Sequence, residues 1–197
     1  MDSFAVAWGD AIPAPDESLP TRATLTATIT PTGQIALDRA AAVPAPGAMA
    51  TPANCDPAEP LIAAARQLIL PLPPMIAIGS RWSDSTSTTV CRGGTPVTTG
   101  MVRDYQVEGL ETVNGVRAVR ISRRDTFTFA GASTAAPGQP ITVSGRGSGA
   151  AIMHFDPSGG VYLGGTADSD FELTVRAGRS QTDFRQRVSS RTSLLAQ

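Results

Sequence analysis

Ile141-Thr142-Val143-Ser144-Gly145-Arg146-Gly147-Ser148-Gly149-Ala150-Ala151-Ile152-Met153-His154-Phe155 decides the fold. Its odd positions are apolar or small, while its even positions include Thr142, Ser144, Arg146, Ser148 and His154. A period of two marks a strand with one covered face. Residues 161–177 repeat the pattern, with Val161, Leu163, Gly165, Ala167, Ser169, Phe171, Leu173 and Val175 on one side and Thr166, Asp168, Asp170, Glu172, Thr174 and Arg176 on the other. Both segments are large at the ends and small in the middle. They predict a long antiparallel sheet whose inner face is recessed at Gly145, Gly147, Gly149, Ala151, Gly165, Ala167 and Ser169.

The alternation extends in both directions. Candidate strands run over 81–92, 98–110, 116–129, 141–155, 161–177 and 180–195, with turn chemistry at Gly93-Gly94, Asn114-Gly115, Ala136-Pro137-Gly138, 156–160 and Gly178-Arg179. Short turns between neighbours make a meander. A two-residue turn at Gly178-Arg179 pairs Val175 with Thr182, Leu173 with Phe184 and Ser169 with Val188, so the covered faces agree. Pairing Phe155 with Val161 sets Ala151 against Gly165 and Gly149 against Ala167. A two-residue turn at Asn114-Gly115 would face apolar against polar positions. A three-residue loop with Gly115 in a bulge restores Val107 against Ile121 and Tyr105 against Arg123.

The N-terminal part is less regular. Residues 1–20 read as an irregular segment. Leu25, Ala27 and Ile29 alternate with threonines and lead through Pro31-Thr32-Gly33 into Ile35 and Leu37, which predicts a hairpin. Residues 40–56 form a Pro/Ala-rich connection. Asp56-Pro57 with Glu59, then Leu61, Ile62, Ala65, Leu68 and Ile69 at helical spacing, predicts one short helix ending before Pro71. The fold class is therefore mainly β: a curved, half-barrel-like antiparallel meander over 80–197 with an N-terminal hairpin and one helix, all within a single domain, 1–197.

Composition narrows the function. The 197 residues carry a formal net charge of −1, with 16 arginines and no lysine, so no electrostatic field recruits nucleic acid. The longest apolar stretch, Leu61 to Ile78, holds Arg66, Gln67, Pro71, Pro73 and Pro74, which excludes a transmembrane helix. Residues 1–8 lack the hydrophobic centre of an export signal. Cys55 and Cys91 have no CxxC or His-rich surroundings, so no metal site is expected. A Cys55–Cys91 disulfide is expected instead in an oxidising compartment, two unrelated buried thiols being the alternative.

The chemistry-bearing residues are few. His154, the one histidine, lies on the polar face beside a turn and is expected to be solvent-exposed; no GxSxG elbow positions a nucleophile near it. No catalytic residue and no cofactor is assigned. Gly145, Gly147 and Gly149 alternate within a strand and open no helix, unlike a phosphate loop. Arg185, Arg187 and Arg191 face Asp168, Asp170 and Glu172 as cross-strand pairs. The recess has two candidate occupants, the protein's own helix through Ala63-Ala64-Ala65 or an apolar ligand such as an acyl chain.

Leu72-Pro73-Pro74, then Ile78-Gly79 and Trp82, then Tyr105, Val107, Gly109 and Glu111 before Asn114-Gly115, resemble an uncharacterised family of exported bacterial envelope proteins. The plan of residues 70–197 also resembles lipoprotein-carrier proteins, in which a curved half-barrel sheet holds lipid beneath short helices. This chain departs from that pattern in lacking a signal peptide and a lipid-attachment cysteine near its start. The resemblance implies a non-enzymatic protein of the periplasm or extracellular space, the cytoplasm being the alternative. Its expected partner is a lipid-like apolar molecule or an envelope protein. A structural or assembly module without a small ligand is the second expectation, and a hydrolase-like enzyme the third.

Overall fold

Residues 22–29, 35–43, 70–92, 95–136 and 139–193 are described by the computed structural model. They form eight strands: β1 (Arg22–Ile29), β2 (Ile35–Val43), β3 (Arg81–Arg92), β4 (Thr95–Val113), β5 (Val116–Ala136), β6 (Gln139–Asp156), β7 (Val161–Ala177) and β8 (Ser180–Ser193). β1 and β2 pair as an antiparallel hairpin. β2 runs to Val43, so the first residues of the expected irregular stretch continue the strand, and proline begins only at Pro44. No helix occurs among the described residues, and none there is long and apolar enough to cross a membrane. The expected helix before Pro71 and the seat of Cys55 lie outside them.

β3 to β8 make one six-stranded antiparallel sheet in sequence order, and it is not closed: β3 and β8 are its two edges. The β7–β8 register pairs Val175 with Thr182, Leu173 with Phe184 and Ser169 with Val188, as the alternation requires. Three register shifts adjust other pairs, one of them near the end of β5 between Thr134 and Ala136. Asn114 (φ 50°) and Gly115 (φ 81°) both take positive φ, the signature of a two-residue type I′ turn, and Val113 pairs with Val116. The register shift sits between Val107 and Gly109 instead, where Glu108 is the extra residue. Val107 still meets Ile121 and Tyr105 still meets Arg123, so the dipeptide keeps its preferred turn and the bulge restores the faces.

Between β6 and β7 the expected register is off by two. Ala151 faces Ala167, Gly149 faces Ser169 and Met153 faces Gly165. The physical reason is twofold: the loop closes on Asp156 and Val161, so Phe155 already meets Tyr162, and a bulge then adds one more residue. His154 pairs with Gly164 but Phe155 with Tyr162, leaving Leu163 unopposed. Gly164 takes φ 129° there, a conformation that residues with a side chain rarely adopt.

The core sits at one end of the inner face. Leu70, Tyr105, Val107, Val119, Ile121, Ala151 and Met153 form one buried cluster, with Leu72, Ile76, Trp82, Phe155, Tyr162 and Ala167 packed against it. Leu70, Leu72 and Ile76 belong to a strap, residues 70–80, whose Pro71, Pro73 and Pro74 keep it out of the ladder. Its end is tied to β4 by Gly79 N–H donating to the Val107 carbonyl (2.9 Å) and Val107 N–H donating to the Ser80 carbonyl (3.0 Å).

Candidate functional site

The inner face is a set of cross-strand rows. Nearest the strap, Val107, Ile121, Met153 and Gly165 align. Next come Trp82, Tyr105, Arg123, Ala151 and Ala167, followed by Asp84, Arg103, Asp125, Gly149 and Ser169. Beyond them stand Met101, Phe127, Gly147 and Phe171, and finally Thr99, Phe129, Gly145, Leu173 and Phe184. All seven residues expected in the recess therefore lie on this face. Along its length the face changes from aliphatic through charged to aromatic.

Neighbouring side chains take up the space above the glycines. A Cβ on Gly147 would stand 2.4 Å from Cδ1 of Phe171, one on Gly145 2.6 Å from Cδ2 of Leu173, and one on Gly149 2.6 Å from Oγ of Ser169. Phe171 packs edge-on against Phe127 (centroids 5.0 Å apart) and Phe129 (5.5 Å). Phe127 and Phe171 stand on strands separated by β6, so the glycine column of β6 lets rings from both sides meet above it. The expected recess is thus floored by aromatic rings.

The charged row is the feature the sequence reading missed. Arg103 and Asp125 are each only 3% exposed. Arg103 Nε donates to Asp84 Oδ1 at 2.8 Å, and its Nη2 engages Oδ2 of the same carboxylate. Burial is the largest single influence on Arg103 and opposes its charge, yet the hydrogen bond it donates to Asp84, together with the electrostatic influence of Tyr105, Asp84 and Asp125, outweighs burial and holds the guanidinium above its ordinary pKa. Arg123 Nη2 donates to Asp125 Oδ2 at 2.8 Å. Its Nε stands 2.8 Å from Oδ1 in an ion-pair contact that lacks good hydrogen-bond direction. With Arg123 contributed by the adjoining row, two acidic and two basic side chains pair off, so the cluster is formally neutral.

Beside that row, Trp82 and Tyr105 stack face to face, with centroids 5.0 Å apart and planes 6° from parallel. Trp82 Nε1 and the Tyr105 hydroxyl are buried with no hydrogen-bond partner. Burial pushes the Tyr105 phenol well above its ordinary pKa, with Arg103 pulling the other way. Tyr162 shifts in the same direction by burial, offset in part by its hydrogen bond with Thr192.

On β8, Phe184 at the far end of the face is 51% exposed and Val188, opposite Ser169 of the charged row, is 39% exposed. A shallow depression of about 560 Å³ lies beside Gly145, Leu173 and Phe184, with Arg146, Glu172 and Arg185 around it.

The outer face holds His154, and the expectation of solvent exposure is corrected there. Its side chain is 19% exposed and stands against the Glu111 carboxylate. Arg120 joins the group, with Nε 2.7 Å from Glu108 Oε2 and Nη1 3.5 Å from Glu111 Oε2. The Arg120 hydrogen bond, with a further one from Ser122, lowers the Glu108 pKa. The bulge at Glu108 creates this arrangement: it shifts the parity of β4 so that Glu111 faces Ala118 on the outer side. Further along the outer face, Arg187 meets Asp170 (3.0 Å) and Arg146 meets Glu172 (3.3 Å). Arg187 to Asp170 is one of the expected cross-strand pairs.

Cys91, near the end of β3, is not a free thiol. Among the described residues no group of three or more His, Cys, Asp or Glu side chains gathers as a metal site requires. No family model, curated protein or solved structure matches this chain.

Proposed function

We propose that this protein is an exported, non-enzymatic envelope protein that receives a lipid-like apolar ligand on the inner face of an open, half-barrel-like sheet. The observation that supports the reading is the uneven covering of that face. The strap residues Leu70, Leu72 and Ile76 pack at one end, while at the β8 edge Phe184, opposite Leu173, and Val188, opposite Ser169, stand exposed. A contiguous apolar surface of this kind on a soluble chain marks a place where something binds. The bonded state of Cys91 supports an oxidising compartment such as the periplasm, and a bond to Cys55 is the proposed partner.

Binding of N-phenyl-1-naphthylamine, an apolar dye that brightens out of water, tests the reading. Saturable binding that Phe184→Glu weakens at least about tenfold supports it, since a charge on an apolar contact surface is strongly disfavoured. A wild-type protein that leaves the dye dark overturns it.

A second reading is favoured by one observation, the bare edge. β8 is exposed along nearly its whole length and contains no proline, so its unpaired backbone groups present a template for another strand. In this reading the protein is an assembly module whose sheet is continued by a partner chain. Concentration-dependent association in sedimentation velocity, abolished by Ser189→Pro, supports it; a monomer at all concentrations excludes self-assembly through this edge.

A further inference from the structure

We infer that Trp82 and Tyr105 form the polar end of a binding site for an amphiphile bearing an ester or amide carbonyl, an inference that rests on the apolar-ligand reading above and specifies its ligand class. The two side chains are adjacent across the β3–β4 ladder and stacked. Both carry a hydrogen-bond donor that is buried and unpartnered. An unmet donor in an apolar interior is costly, and two in one stacked pair beneath an apolar strap mark a place where acceptors are missing.

The neighbouring ion pairs define the chemistry of those acceptors. Asp84 with Arg103 and Arg123 with Asp125 consume each other's charge, so the site offers donors without net positive charge. It therefore suits a neutral carbonyl oxygen better than a carboxylate or phosphate. The aromatic rows begin four residues further along each strand, at Phe127, or about 13 Å away. A carbonyl held at Tyr105 directs the attached hydrocarbon over the charged row to Phe127, Phe129 and Phe171. Lifting Leu72 and Ile76 of the strap opens the polar end to it.

Two probes that differ only in the carbonyl test the inference by isothermal titration calorimetry on the full chain: monodecanoylglycerol, an ester, and 1-O-decylglycerol, its ether counterpart. The ester is expected to bind about five- to tenfold more tightly, the worth of one good hydrogen bond. Tyr105→Phe should bring the two affinities within about twofold of each other, and Trp82→Phe should narrow the gap in the same way. Equal affinities for ester and ether in the wild type, or a preference that survives both substitutions, overturn the carbonyl site and leave apolar binding standing. If neither probe binds, the apolar-ligand reading itself falls.

Discussion

Phe127 on β5 and Phe171 on β7 meet edge to face at 5.0 Å although β6 runs between them. Adjacent strands lie about 4.8 Å apart, so contact between side chains two strands apart requires the intervening position to be empty. Gly147 is that position. Gly147→Val is expected to cost about 1–3 kcal/mol by forcing Phe171 out of its rotamer. Ser148→Val, one residue away on the outer face, should cost far less. Urea unfolding midpoints compare the two, and equal midpoints would show that the rings do not depend on the gap.

The Asp84–Arg103 pair gives a second test. Asp84→Ala removes the carboxylate that takes both Nε and Nη2 of Arg103, a residue only 3% exposed, and it is expected to cost about 2–4 kcal/mol. Replacing both members, Asp84→Leu with Arg103→Met, should recover most of that loss because no uncompensated charge remains. Chemical denaturation of the three variants measures it. A double variant as unstable as Asp84→Ala would mean that the pair stabilises through its packing shape.

Tyr105 predicts an alkaline limit. Its folded pKa is raised by burial, so the folded state keeps the phenolic proton where the unfolded chain releases it. The stability it contributes is whole below the unfolded value of about 10 and is lost as pH rises through the folded value. Tyr162 acts with the same sign. Tyr105→Phe should therefore flatten the fall in melting temperature above pH 10 without abolishing it. At neutral pH the same change removes an unpaired hydroxyl and should raise stability by about 1 kcal/mol. A loss of stability at neutral pH would show that the hydroxyl has a partner in solution.

Thiol chemistry gives a fourth. Titration of the denatured, unreduced protein with Ellman's reagent should find no free thiol, the pair being Cys55 and Cys91. Closing a loop of about 37 residues stabilises by roughly 3–4 kcal/mol, so reductant should lower the unfolding midpoint. Two titratable thiols would remove the argument for an oxidising compartment.

Much of the sheet is legible in the sequence because period-two patterning and a tight turn together fix register. The β7–β8 pairing follows from Gly178-Arg179 and the faces of Leu173 and Phe184 alone. The bulges at Glu108 and Leu163 are not legible, since an extra residue changes parity without changing composition. The glycines could be assigned to a face but not to what covers it, because Phe127 and Phe171 are brought together only by the third dimension. The charged residues did leave a trace: Arg103, Arg123 and Asp125 fall on the odd positions of β4 and β5, in phase with Met101, Tyr105, Val107, Ile121 and Phe127. Charges in phase with a core stripe are a signal of buried pairing that alternation counts treat as noise.

Glu108 also governs how the β4–β5 hairpin tolerates changes in length. Residues on either side of the bulge answer to opposite parity rules: Tyr105 and Val107 face inward before it, and Leu110 faces inward after it, opposite Val119. Removing one residue between the bulge and Asn114-Gly115 would swap Glu111 with its neighbours across the sheet, carrying a carboxylate towards the core and stranding His154. Removing two would leave every side chain on its own side. The hairpin can therefore lengthen or shorten in pairs of residues, and a single-residue deletion keeps every side chain on its own side only if it takes Glu108 itself, because the Val107–Ile121 and Gly109–Arg120 pairs on either side of it then follow one another directly.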